Sequence, residues 1–170
     1  MSQSINTKAV TDRRDLTFNS LACVSEDLDR IQAAHDAHTL RTVGNWTPGQ
    51  NLWHCAEVIR AAIDGFPPGA KPPYLVRKVV QFLFKKKAIR GAPPPPGIRM
   101  PKALASFLPP EDVPFDEGMS MIREQIARVR DGGERFTEPS PLFGEFTHEE
   151  WDRLQSAHCS MHFSFIKLDG

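Results

Sequence analysis

The sequence predicts an all-α fold, a four-helix bundle with a long helical and proline-rich insertion between the second and third helices. Three observations carry this expectation. Apolar residues recur at steps of three and four in four separate segments, the spacing of one helix face. Two of those segments open on a Thr followed three residues later by Gln or Glu, the reciprocal cap of a helix N-terminus. The apolar/polar alternation of a half-buried strand is almost absent.

Residues 1–15 have no apolar period and are rich in Ser, Thr, Asp and Arg, so they read as a flexible arm, with residues 16–170 forming a single domain. From Phe18 to Leu40 the stripe Leu21, Val24, Leu28 and Ile31 defines helix one, and His35 and His38 continue it. A turn at Gly44 and Asn45 leads to helix two, which Thr47, Pro48 and Gln50 start and which Gly65, Pro67 and Pro68 stop. Its inner face is predicted to carry Leu52, Ala56, Ile59 and Ile63, with Glu57, Arg60 and Asp64 outside.

Between Pro72 and Gly91 the residues Leu75, Val79, Phe82 and Leu83 favour an amphipathic helix over a strand. Prolines 93–96 then enforce an extended spacer, and Pro101–Leu108 forms a short helical turn. Asp116 is the expected cap of the next long helix, with Met119, Ile122, Ile126 and Val129 inside and Gly132 and Gly133 closing it. The last helix opens with Thr147 and Glu150; its stripe reads Trp151, Leu154, His158, Met161, His162 and Phe165, with Arg153, Ser156, Ser160 and Lys167 on the other side.

Composition excludes several classes. A chain of 170 residues suits one domain. Its 21 basic and 21 acidic residues give no global field toward nucleic acid or an anionic membrane, so neither is an expected partner. The longest stretch free of charged side chains, Thr42–Ala56, is shorter than the ~20 apolar residues a spanning helix needs. Arg13 and Arg14 are not followed by an apolar export region, so a cytoplasmic location is expected. Three scattered cysteines make no disulfide scaffold or zinc knuckle. Lys85, Lys86 and Lys87 with Arg77, Lys78 and Arg90 form a local basic cluster, read first as a solvated helix face.

Chemistry is carried by the histidines. His158 and His162 stand four apart, so both imidazoles project the same way from the middle of an apolar stripe, where unpaired rings are costly. A metal ion would satisfy both, with a further ligand from another helix. His54 in helix two is one source; His35 and His38 in helix one are equally compatible with periodicity. His148 lies in a capping box and is expected to be solvated. Cys55 and Cys159 adjoin candidate ligands but diverge from them by about 100° around the axis, which suits small buried hydrophobes better than ligation. A zincin motif is absent, because no Glu follows His158, and His54-Cys55-Ala56-Glu57 runs in the reverse order to a di-iron Glu-x-x-His.

Residues Gly44 to His54, Pro139 to Gly144 and Glu149-Glu150-Trp151, together with His158 and His162, resemble the DinB/YfiT-like superfamily, and within it a branch of uncharacterised bacterial proteins. The likeness covers about residues 14–168; its most specific feature is a single His early in helix two combined with HxxxH in the last helix. It implies a four-helix bundle of up-down-down-up order, a homodimer, and a divalent metal held by three histidines that map onto His54, His158 and His162. Some members of that superfamily are thiol transferases or isomerases that use a low-molecular-weight thiol. This chain departs from the pattern at Cys55, in its basic and proline-rich middle segment, and in offering no motif carboxylate as general base.

Three neutral imidazoles leave positions open on an ion for water, a thiol or another small-molecule substrate. Together with the resemblance, this implies a thiol-dependent S-transferase or a related enzyme, or a hydrolase. Zinc, nickel, iron and manganese all accept imidazole. The competing expectation is a non-catalytic bundle whose metal or buried histidines are structural and whose insertion makes dimer or partner contacts.

Overall fold

A computed structural model describes residues 5–98, 102–136 and 139–169. Among them the chain is mostly helical. Five α-helices are present: α1 (Leu21–Asp36), α2 (Pro48–Asp64), α3 (Tyr74–Ile89), α4 (Phe115–Arg130) and α5 (His148–Phe163). Two short 3-10 helices, Thr7–Ala9 and Lys102–Phe107, and one small antiparallel strand pair complete the described elements. The strands, Arg41–Thr42 and Ile166–Lys167, are too short to show alternation in sequence. Pro101, expected to start the short turn, lies outside the described residues, as do residues 1–4 of the arm.

The caps read from sequence form as expected at α2 and α5. In α2 the Gln50 amide donates to Thr47 Oγ1 at 3.2 Å and the Thr47 amide donates to Gln50 Oε1 at 2.9 Å. In α5 the Glu150 amide donates to Thr147 Oγ1 at 3.2 Å and the Thr147 amide to Glu150 Oε2 at 2.8 Å. Helix α1 stops at Asp36 rather than Leu40, because His38 turns the chain with a φ of 57°. The cap position of α4 is Pro114, not Asp116; Asp116 and Glu117 sit in the first turn, where their charge opposes the helix dipole.

The core takes the predicted stripes of three helices. Leu21, Val24, Leu28 and Ile31 of α1, Leu52, Ala56, Ile59 and Ile63 of α2, and Met119, Ile122, Ile126 and Val129 of α4 are all buried in one cluster with Trp151 and Phe163 of α5. Helices α2 and α4 meet at glycines: a Cβ on Gly118 would lie 2.5 Å from the Gly49 carbonyl oxygen. That approach is closed to any larger residue.

Two helices depart from expectation. In α5, Ser156 and Ser160 are buried, not solvent-facing. Their hydroxyls donate to the carbonyls of Asp152 and Ser156 at 2.8 and 3.0 Å, and the Phe18 amide donates to Ser160 Oγ at 2.8 Å. The helix is buried on two sides, so one apolar stripe describes it poorly. In α3 the stripe is inverted: Leu75, Val79, Phe82 and Leu83 are exposed, whereas Ala88 is buried.

The expected arm is held to the rest of the chain. The Ile5 amide donates to Asn45 Oδ1 at 2.7 Å, and Arg14 makes a two-pronged pair with the buried Asp27 at 2.9 and 2.8 Å. No helix among the described residues is long and apolar enough to cross a membrane.

Candidate metal centre

Helix α2 supplies His54 and helix α5 supplies His158 and His162. The i,i+4 spacing on α5 puts its two rings one turn apart, and their Nε2 atoms lie 3.1 Å from each other. His54 Nε2 lies 3.3 Å from His158 Nε2. One ligand atom from each of the three rings falls within 4.8 Å of the others. A tetrahedral ion with bonds of ~2.0–2.1 Å to nitrogen separates its ligand atoms by about 3.3 Å, so the 3.1 and 3.3 Å Nε2 spacings match one shared ion.

Outer contacts fix which nitrogen faces inward. His54 Nδ1 lies 2.6 Å from the Phe107 carbonyl oxygen, which can only accept, so Nδ1 carries the proton and Nε2 is bare. Asn51 commits its Nδ2 to the carbonyls of Trp46 and Thr47 at 3.3 and 3.0 Å, which turns Oδ1 toward His162 Nδ1 at 3.4 Å. His162 Nε2 is therefore bare as well. Both lone pairs point at His158 Nε2, where one proton can satisfy at most one of them. A cation among the three satisfies all. The buried His158 Nδ1 has no hydrogen-bond partner among the described residues, so its tautomer is free to follow the occupant. The three residues fit a divalent metal.

Burial keeps the rings neutral, the form that ligates. Desolvation lowers the pKa of His54 against a smaller opposing effect of its bond to Phe107. Desolvation, then the neighbouring His54, pushes His158 down to about 3. Desolvation, then His158 and His54, holds His162 well below the usual imidazole range. In the metal-free protein all three stay neutral while the unfolded chain takes up protons below about pH 6.5, so stability falls as pH drops. Each ring contributes a slope of up to about 1.4 kcal/mol per pH unit between that value and its folded pKa. Urea unfolding of metal-free protein from pH 7 to pH 5 measures it; a flat profile would contradict neutral buried rings.

The centre lines a cavity of about 670 Å³ whose other walls include Trp46, Phe66, Phe84, Leu142 and Trp151. Trp46 stacks on His162 with ring centroids 5.3 Å apart and planes 6° from parallel. Among the described residues, no Asp or Glu lines this cavity.

The other histidines lie elsewhere. His35 stacks on Phe115 at 3.9 Å, and it lines with His38 a separate cleft beside the start of α2. Neither joins the three-histidine group. His148, expected in solvent, is half-buried, and its Nδ1 accepts from the Phe136 amide at 3.3 Å. Cys55 and Cys159 are buried next to one another; burial, then the Cys159 thiol, pushes the Cys55 thiol well up, so it stays protonated.

Sequence reasoning missed Asn51, Trp46 and the Phe107 carbonyl. Asn51 carried a signal, since it precedes His54 by three residues and shares its helix face. The Phe107 carbonyl carried none, because any residue supplies a backbone oxygen. It is brought to the site by the end of the 3-10 helix, whose following residues Pro110 and Glu111 accept from Gln50 Nε2 at 2.8 and 3.0 Å.

Comparison with curated proteins and with solved structures gives no match. Over residues 10–168 the chain matches, and therefore belongs to, the family described as protein of unknown function (DUF1569).

Proposed function

We propose that the chain is a metal-dependent protein of the DinB/YfiT-like four-helix-bundle type, in which α1, α2, α4 and α5 are the bundle and α3 with the proline stretch is the insertion. His54, His158 and His162 would hold one divalent ion, and the function is a thiol-dependent S-transfer or a related group transfer. The observation that carries this reading is the convergence of three neutral imidazoles, two of them with bare Nε2 atoms, on the wall of a large apolar cavity. A structural site closed by four protein ligands would have no use for such a space.

A divalent ion on three neutral histidines supplies a Lewis acid with open positions, which lowers the pKa of a thiol or water toward neutrality. The chain's own residues do the rest. Phe107 and Asn51 orient two of the imidazoles, Trp46 covers one face of His162, and Phe66, Leu142 and Trp151 give an electrophile an apolar seat that excludes bulk water. Among the described residues the cavity wall carries no carboxylate, which suits a nucleophile that reaches its anionic form without a protein base.

The test is thiol binding to cobalt-loaded protein. A low-molecular-weight thiol is expected to shift the visible spectrum of the ion, while the chelated protein stays folded by circular dichroism. Unfolding on chelation, with no spectral response to any thiol, would favour the non-catalytic bundle instead.

A further inference from the structure

Helix α3 presents to solvent the face that a bundle helix would bury. Leu75, Val79, Phe82 and Leu83 are 76, 57, 87 and 52% exposed, and their three-four spacing puts them on one side. The opposite side makes the contacts with the rest of the chain. On the flank Lys85 Nζ donates to the Glu145 carbonyl at 2.8 Å, and at the helix end Arg153 Nε donates to the Ile89 carbonyl at 3.0 Å. Single exposed apolar residues are ordinary; a contiguous stripe along one helix marks a surface that something covers.

Charge identifies the cover. No acidic residue occurs between Asp64 and Glu111, a span that holds every basic residue of α3. Exposed Lys78, Lys86 and Lys87 border the apolar stripe, and Arg90 follows its end. Because basic and acidic residues balance over the whole chain at 21 each, this positive segment is offset by an acidic remainder. The neutral total, which argued against a membrane partner, hides that segregation. A two-fold contact between copies of α3 would set the same lysines against themselves.

We infer that the outward face of α3 docks on an anionic lipid surface. A helix of 16 residues, about 24 Å long, lies in the interface plane with Phe and Leu side chains among the acyl chains and lysines at the headgroups. The same helix lends Val80, Phe84 and Ala88 to the wall of the cavity above the histidines, so the docked face backs directly onto the site.

The test is sedimentation of the full chain with phosphatidylcholine vesicles and with an equimolar mixture of phosphatidylcholine and phosphatidylglycerol. Binding is expected to the mixture and to weaken as salt rises. Lys78→Glu with Lys86→Glu should lower the partition coefficient more than about tenfold. Phe82→Ser with Leu83→Ser should lower it by a similar factor. All four side chains are exposed, and an unchanged circular dichroism spectrum confirms that the variants fold. Absence of binding to the mixture, or equal binding to both vesicles untouched by the charge reversal, would overturn the inference. So would a wild-type dimer that the Phe82→Ser, Leu83→Ser variant returns to monomer, which gives the face to a second copy. Retention on polyglutamate without vesicle binding would give it to an acidic protein.

Discussion

Replacing His158 with alanine is expected to lower the affinity for a divalent metal by more than about 100-fold while leaving the helices in place. His158 Nε2 is the atom that both other rings approach, at 3.3 and 3.1 Å, so its loss leaves two nitrogens with no common third ligand. Asn51→Ala should cost less, roughly 10–100-fold, because it acts only by orienting His162. Competition with a chromophoric chelator measures both. Equal affinity in wild type and His158→Ala would remove the ligand assignment, whereas equal losses in the two variants would make the Asn51 contact more than an orienting one. Loss of a ring from a half-buried position facing a cavity should not unfold the chain.

The largest stability effect is expected at a residue far from any chemistry. Asp27 is 1% exposed in α1, and its carboxylate accepts from both terminal nitrogens of Arg14, whose Nη2 also donates to the Phe163 carbonyl at 3.2 Å. Asp27→Ala leaves the guanidinium half-buried and unpaired, at a cost of about 3–5 kcal/mol. For a chain of this size the melting temperature should fall by roughly 10 °C. Replacing both residues together, Arg14→Met with Asp27→Leu, should cost much less, since no charge is then left without a partner. Thermal melts of the single and double variants decide it; a single-variant loss below about 1 kcal/mol would mean that the pair is solvated in solution.

These two residues also mark the limit of sequence reading. The stripes of α1, α2 and α4 were legible because Leu, Ile, Val and Met recur at helical spacing and each stripe has one buried face. The caps at Thr47 and Thr147 were legible because the reciprocal bond depends on residues only three apart. The Arg14–Asp27 pair was not, since it joins a segment without periodicity to a polar position inside an amphipathic helix. Ser156 and Ser160 read as solvent-facing by composition, yet their hydroxyls close on carbonyls of their own helix and can be buried at little cost. For α3 the periodicity gave a helix but not the direction its apolar face points, which depends on contacts outside the helix.

The site divides in the same way. His158 and His162 were paired by spacing alone, whereas choosing His54 over His35 and His38 rested on resemblance to a family. Geometry brings His54 to them and places the other two beside Phe115. The tautomers at His54 and His162 depend on Phe107 and Asn51, contacts that only the folded chain defines.

The most direct measurement is X-ray absorption at the metal edge of protein loaded with one equivalent of zinc. One ion per chain coordinated by three imidazole nitrogens at ~2.0–2.1 Å, with an exchangeable oxygen ligand completing the shell, is the expected result. A shell with sulfur, with fewer than three imidazoles, or with no ion retained after desalting would contradict a shared site at His54, His158 and His162.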